Sequence, residues 1–271
     1  MPSMDPIPSF SLQDLNPHLV VRAFREIGAI RLLSPFANFD PTAVLRSASE
    51  AFALPHNVRM RYRRVAGSST GYTPVGVESV QGKTKEVACD FWDITSTPDV
   101  QRLPLEAPKF SRDCRELFPR LQEAALRLFA VMDTLCAPNA PRLSEVANGG
   151  SHLLRISHYS PQAAGHITFP SHIDFGLLTL YVGGADDGLQ RCHKGQWFDI
   201  DNPCGAIVIA CGSTLRLYEP TFTAFRHRVV STGAERFSAV LFTEPQPDTI
   251  LPNGVRSADH LARLTTLIRK E

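Results

Sequence analysis

The sequence has no long apolar run, no excess charge of one sign and no closely paired cysteines, and each lack closes off a class of protein. Its longest apolar stretches fall well short of the ~18 residues that suggest a membrane span. Lys plus Arg number 28 and Asp plus Glu 27, a formal net charge of +1. A chain so near neutrality is not built to lie along nucleic acid or an anionic membrane, so neither is expected as a partner. Six cysteines (Cys89, Cys114, Cys136, Cys192, Cys204 and Cys211) are scattered without a Cys-x-x-Cys pair, which reads as six reduced thiols. The start, Met1-Pro2-Ser3-Met4-Asp5-Pro6, lacks a basic region followed by an apolar run. No secretory signal is read there, and a cytoplasmic chain is expected. Repeats and low-complexity linkers are missing too. What is present is 271 residues with 43% hydrophobic and 20% charged content, the make-up of an ordinary globular protein. A chain of that length buries roughly 75% of its unfolded surface, so a large core needs no staples.

Helical signals dominate the first half. Asn16-Pro17 pairs an N-cap with a proline at the first helical position, ahead of Leu19, Val20, Ala23, Phe24 and Ile27 at helical spacing and a stop at Gly28. Asp40-Pro41 repeats the device before Val44, Leu45, Ala48, Phe52 and Ala53. A third helix is predicted from Ser111 towards Cys136, kinked or interrupted at Pro119. The stretch 67–80, rich in Gly, Ser, Thr and Pro, reads as a loop or irregular hairpin. From His152 the pattern changes to short apolar segments between turn residues: 153–159, 177–182, 206–210, 228–230 and 237–242. Strands at such close spacing predict a mostly β barrel or sandwich with a helical layer outside it, and the tail from Ser257 is helical again.

The chemistry starts at His172-Ile173-Asp174, where residues two apart on a strand point the same way. Alone this is weak, since about 0.5 such pairs arise by chance in this composition. His227 strengthens it. It opens the strand-like His227-Arg228-Val229-Val230, followed by a turn and a second strand, 236–242. This reads as a hairpin, its register open, that brings Arg236 and Ser238, which share a face, close to His227. Two histidines and a carboxylate with open positions form the facial triad of non-haem Fe(II) oxygenases. An Arg beside a hydroxyl is what a dicarboxylate co-substrate needs, because guanidinium grips a carboxylate bidentately. Arg155-Ile156-Ser157 is a second Arg-x-Ser, but only the copy at 236–238 lies on the strand after His227.

With these residues in place the chain resembles the isopenicillin N synthase-like 2-oxoglutarate/Fe(II) dioxygenases over nearly its whole length. Ile7-Pro8-Ser9-Phe10 resembles the family's opening strand, and Glu26-Ile27-Gly28-Ala29-Ile30 the end of its first helix. Gly71-Tyr72, Gly76-Val77-Glu78 and Lys85-Glu86 match its loops. Leu154-Arg155-Ile156-Ser157-His158-Tyr159 resembles the strand whose second tyrosine binds the keto acid. His172-x-Asp174, Gly188-Leu189-Gln190, Gly195-Gln196-Trp197, Gly205-Ala206-Ile207, His227-Arg228-Val229 and Arg236-Phe237-Ser238 then follow in family order. Departures are Glu219-Pro220 in place of Asn-Gly, Ala224 in place of a serine, and Ser157-His158-Tyr159 in place of Asn-Tyr-Tyr.

The resemblance implies one oxygenase domain over 1–271: a helix-rich region (1–150), a double-stranded β-helix or jelly-roll core with the metal site (151–245), and a C-terminal helix (246–271). It implies Fe(II) on His172, Asp174 and His227, and 2-oxoglutarate held by Arg236, Ser238 and Tyr159. Molecular oxygen, with ascorbate as reductant, would complete the chemistry, yielding succinate, CO2 and a small-molecule substrate oxidised by hydrogen abstraction. Arg155, Phe175, Phe242 and Tyr72 are the candidate substrate contacts, Tyr72 as part of a lid. Arg191 and the run Arg59-Met60-Arg61-Tyr62-Arg63-Arg64 are expected on the surface, Trp92 and Trp197 in packing, and the chain as a monomer. The rival readings are an Fe(II) oxidase of the same fold that needs no keto acid, and a metal-dead jelly-roll binding protein.

Overall fold

The computed structural model describes residues 7–65, 67–79, 87–96, 102–136, 140–184 and 188–266. Lys85 and Glu86 lie outside them. The first half runs β1 (Ser9–Phe10), α1 (Pro17–Glu26), β2 (Ala29–Leu32), α2 (Ala43–Phe52), α3 (His56–Arg61), β3 (Gly71–Thr73), β4 (Asp90–Thr95), α4 (Pro108–Asp133) and α5 (Leu143–Ala147). The second half runs β5 (Leu153–Tyr159), β6 (Ile167–His172), β7 (Leu178–Val182), β8 (Leu189–His193), β9 (Gln196–Asp199), β10 (Ile207–Cys211), α6 (Leu215–Tyr218), β11 (His227–Val230), β12 (Arg236–Phe242) and α7 (Ser257–Thr266).

Local chemistry places the helix ends. The Asn16 side chain accepts the Leu19 N–H at 3.2 Å, and Pro17 opens α1. Gly28 ends that helix at φ +80°, where a Cβ would sit 2.3 Å from the Thr223 carbonyl oxygen, so only glycine fits. Asp40 caps α2 from two residues further out than an N-cap: it accepts from the Thr42 N–H at 2.9 Å and from Arg46 at 2.6 Å. Helix α4 differs from expectation. It starts at Pro108 and passes through Pro119 as one 26-residue helix. Pro119 and Arg115, whose carbonyl loses its helical partner, both lie on the exposed side, where water can replace the bond. The opposite face buries Phe110, Leu117, Leu121, Leu128 and Phe129, and this packing outweighs the proline's local cost of ~3 kcal/mol. The stretch expected to be loop contributes β3 at its centre.

The strands form a jelly roll of two sheets, eight strands in the order β1-β2-β10-β7-β12-β5-β4-β3 and four in the order β6-β11-β8-β9. Alternation along the large sheet sorts its side chains. Leu154, Ile156, Leu180, Ile207, Ile209 and Leu241 join the main core with α2 and α4. Arg155, Ser157, Tyr159, Tyr181, Arg236, Ser238 and Val240 line a cavity. A period of two means one sheet can hold an oily layer on one face and a chemical site on the other. Trp92 is fully buried, as expected. Strands β6, β8 and β9 carry few fully buried residues, so the apolar signal that marks β5 and β12 is missing from them. Among the described residues no helix is long and apolar enough to cross a membrane.

Candidate metal centre and cavity

His172 ends β6, Asp174 lies two residues on, and His227 opens β11. Strands β6 and β11 pair antiparallel with His227 opposite His172, which brings the two ring centroids to 4.2 Å. One ligating atom from each of His172, Asp174 and His227 lies within 4.8 Å of the other two. The Asp174 carboxylate is 3.3 Å from His172 Nε2 and 3.7 Å from His227 Nε2. The outer ring nitrogens are committed elsewhere: His172 Nδ1 is 2.8 Å from the Pro170 carbonyl and His227 Nδ1 is 3.2 Å from the Phe225 carbonyl. A carbonyl only accepts, so each Nδ1 carries the proton and each Nε2 turns a lone pair toward Asp174. This donor set suits a divalent transition metal: two neutral imidazoles and one carboxylate.

Electrostatics keep Asp174 and His227 deprotonated. Burial alone would raise the Asp174 carboxyl, but His227, His172 and the Tyr181 hydroxyl hold it well below the usual carboxylate range. Burial lowers His227 to about 4, against the pull of Asp174. Tyr181 is a site residue that sequence reasoning misses. Its hydroxyl donates to Asp174 Oδ2 and lies 3.2 Å from His227 Nε2. Only its cavity-facing position on β7 sets it apart from Leu178 and Leu180, and sequence alone does not fix that parity. Tyr181→Phe is expected to weaken Mn(II) or Fe(II) binding by roughly 10–100-fold with the fold intact, as for partners that orient a ligand. Titration calorimetry checks it; unchanged affinity would assign the hydroxyl to packing.

The cavity beside the triad has a volume of about 810 Å³ and is lined from both sheets. Arg236 and Ser238 face into it from β12, and Tyr159 pairs with Arg236 on β5. The Arg236 guanidinium lies 4.9 Å from the Tyr159 ring centroid. Burial, reinforced by Cys89, pushes the Tyr159 phenol well above its ordinary value, so it stays a neutral donor. Phe175 and Phe242 line the cavity as well.

Arg155 also lines it, with its guanidinium already engaged. It donates to Asp93 at 2.8 Å and to Glu78 at 3.0 Å, and stacks 3.6 Å from the Phe91 ring centroid. Arg64 joins the same two carboxylates at 2.9 and 3.4 Å. Arg155→Ala leaves two buried carboxylates sharing one fewer cation and is expected to cost about 3–5 kcal/mol of stability. Urea unfolding measures this, and a loss below about 1 kcal/mol, the scale of an exposed pair, would return Arg155 to a purely substrate-facing role.

Three expectations are corrected. Tyr72 is not on the cavity wall: it is buried against Trp92, and its hydroxyl donates to Asp90 at 2.7 Å, because β3 adds as an edge strand to β4. Arg191 is 2% exposed, its guanidinium 5.7 Å from the Phe225 ring, because its register opposite His227 turns it inward. The arginine run is not wholly solvated either, since Arg59 pairs with Asp90 and Arg64 with Glu78 and Asp93. Trp197 is half-buried beneath Arg228, its ring centroid 4.2 Å from that guanidinium.

Two imidazoles and one carboxylate, set beside a cavity in a jelly roll, make a candidate site for one metal ion of the facial-triad class. Residues 150–245 match the model of the 2OG-Fe(II) oxygenase superfamily. It is 27% identical over 213 residues to 2-oxoglutarate-dependent dioxygenase 11 of Oryza sativa subsp. japonica, covering 76% of this chain and 60% of that protein. It is 28% identical over 261 residues to leucoanthocyanidin dioxygenase 1 of Oryza sativa subsp. indica, covering 88% and 70%. The first of these matches thus spans less than two thirds of the curated relative. In fold the chain is similar to a full-length Neurospora crassa protein in complex with alpha-KG, with TM-score 0.84, 18% identity and 98% of each chain covered. A rice dioxygenase for auxin oxidation superposes with TM-score 0.73, 16% identity and 97% of each chain covered.

Proposed function

We propose that the protein is a non-haem Fe(II)- and 2-oxoglutarate-dependent oxygenase acting on a small molecule. The observation that carries this is the convergence of His172, Asp174 and His227 on one point of a cavity that also presents Arg236 and Ser238. His172 and His227 would hold the iron through Nε2 and Asp174 through a carboxylate oxygen, with the tautomers locked by Pro170 and Phe225. When bound, the iron supplies the activation of oxygen that couples decarboxylation of the keto acid to oxidation of a substrate C–H bond. Arg236 would take the distal carboxylate of 2-oxoglutarate, with Ser238 and Tyr159 donating hydroxyl hydrogen bonds beside it. Phe175, Phe242 and Leu153 on the lining exclude water from the reacting end. Relatives that include a leucoanthocyanidin dioxygenase support a small-molecule substrate. Six free thiols suit a cytoplasmic compartment, and a monomer remains our expectation.

The test is succinate formation from 2-oxoglutarate by anaerobically purified protein given Fe(II), ascorbate and air, with metal-free protein as control. Iron-dependent succinate supports the assignment. No succinate, together with no visible charge-transfer band when 2-oxoglutarate meets the Fe(II) protein, would turn the assignment to the keto-acid-independent oxidase.

A further inference from the structure

Glu244 is a buried acid on the cavity wall to which the proposed reaction gives no task. Its backbone continues β12 alongside the segment that follows Asp174: Leu177 N–H donates to the Thr243 carbonyl at 2.7 Å and Thr243 N–H to the Leu178 carbonyl at 2.9 Å. The Glu244 N–H donates to His152 Nδ1 at 3.1 Å. Two glycines make room for it. A Cβ on Gly150 would lie 1.9 Å from the Glu244 carbonyl oxygen, and one on Gly176 would lie 3.0 Å from Glu244 Oε1. The carboxyl is thus held over the turn that carries Asp174.

No ion pair reaches this carboxyl among the described residues. His152, which touches its backbone, accepts at Nδ1, and burial lowers its pKa to about 4, so it brings no positive charge. Burial and then the Asp174 charge push Glu244 itself up to about 8, so the protonated carboxyl accepts an amide N–H at its carbonyl oxygen, and an amine that meets it takes its proton. Arg155, by contrast, is already engaged by Asp93 and Glu78, so its guanidinium does not call for an anion. A buried carboxyl without a donor costs several kcal/mol, and one that opens on a cavity regains that from what fills the cavity. Phe175, Phe242, Leu153, Pro247 and Leu261 make much of the remaining lining apolar.

We propose that Glu244 anchors the substrate by accepting a hydrogen bond from its nitrogen, the N–H of an amine or an amide on a largely apolar molecule. This rests on the cavity being the substrate site. It makes Glu244 a specificity-determining residue that fixes which C–H bond faces the triad.

Benzylamine, benzamide and benzoate share one ring and differ only in the group offered to Glu244. Their dissociation constants, from ligand-observed NMR on the folded protein, test the proposal without turnover. Benzylamine or benzamide should bind at least about tenfold tighter than benzoate, a difference of ~1.4 kcal/mol. Glu244→Leu should abolish that preference. The isosteric Glu244→Gln separates the two donors: losing only benzylamine binding points to a cationic amine, and keeping benzamide binding to a neutral amide. Benzoate binding as tightly as the others, no binding by any of the three, or a preference that survives Glu244→Leu would overturn the proposal. A Glu244-dependent preference in a protein that forms neither succinate nor a charge-transfer band with 2-oxoglutarate would instead overturn the oxygenase reading and leave this one standing.

Discussion

Asp174→Ala is expected to empty the protein of iron and to bring succinate formation down to the metal-free background. The carboxylate is one of the three proposed ligands among the described residues; it accepts from the Tyr181 hydroxyl and faces both Nε2 atoms. Without it, two neutral imidazoles whose centroids lie 4.2 Å apart must hold a dication with no balancing charge. The fold should survive, because the substituted side chain leaves the apolar face of the large sheet untouched. Metal content after aerobic dialysis and circular dichroism, read together, check this. Iron retained at wild-type stoichiometry in Asp174→Ala would place the metal elsewhere.

The second large effect belongs to Arg236. In the proposed role, its loss would remove a charge-assisted pair to the distal carboxylate of 2-oxoglutarate, worth about 2–4 kcal/mol in a desolvated site, or roughly 30- to 1000-fold. That contact is made equally before and during the chemical step, so KM for 2-oxoglutarate should rise while kcat moves much less. Arg236→Lys should recover part of the loss, since an ammonium keeps the charge and gives up the planar fork. Part of the effect of Arg236→Ala will be packing, because the guanidinium lies over the Tyr159 ring. Steady-state kinetics with varied 2-oxoglutarate separate these outcomes, and an unchanged KM in Arg236→Ala would move the role to another cation.

Order along the chain made the cluster of His172, Asp174 and His227 legible. His172-x-Asp174, His227 and Arg236-x-Ser238 sit on strand ends whose period of two fixes shared faces, and the structure has β5, β11 and β12 where alternation predicts them. Tyr181 and Glu244 were hidden for a physical reason. Each owes its role to register across strands distant in sequence: Tyr181 to β7 lying beside β12, and Glu244 to the backbone of 243–244 running against 176–178. Charge was the least readable property. Arg155, Arg64 and Arg191 look like solvent-seeking residues in isolation, and only the fold supplies the carboxylates and rings that let Arg191 be buried and draw Arg155 and Arg64 largely out of solvent. Pro119 gives the same lesson for the backbone, where tertiary burial of one helix face overrode a local breaker.

The large sheet draws strands from both ends of the chain, and this bears on how the molecule can be taken apart. Residues 150–245, the stretch that matches the 2OG-Fe(II) oxygenase model, supply β10, β7, β12 and β5 at its centre. β2 is hydrogen-bonded to β10 on one side and β4 to β5 on the other, and both come from before residue 150. A fragment cut to the shared stretch would therefore carry two raw edges and a bare oily face where α2 and α4 had rested. Such a piece is a seed for aggregation rather than a miniature of the whole. Chimeras that exchange chemistry between relatives should consequently splice in loops around the cavity mouth and leave the long-range strand partnerships intact.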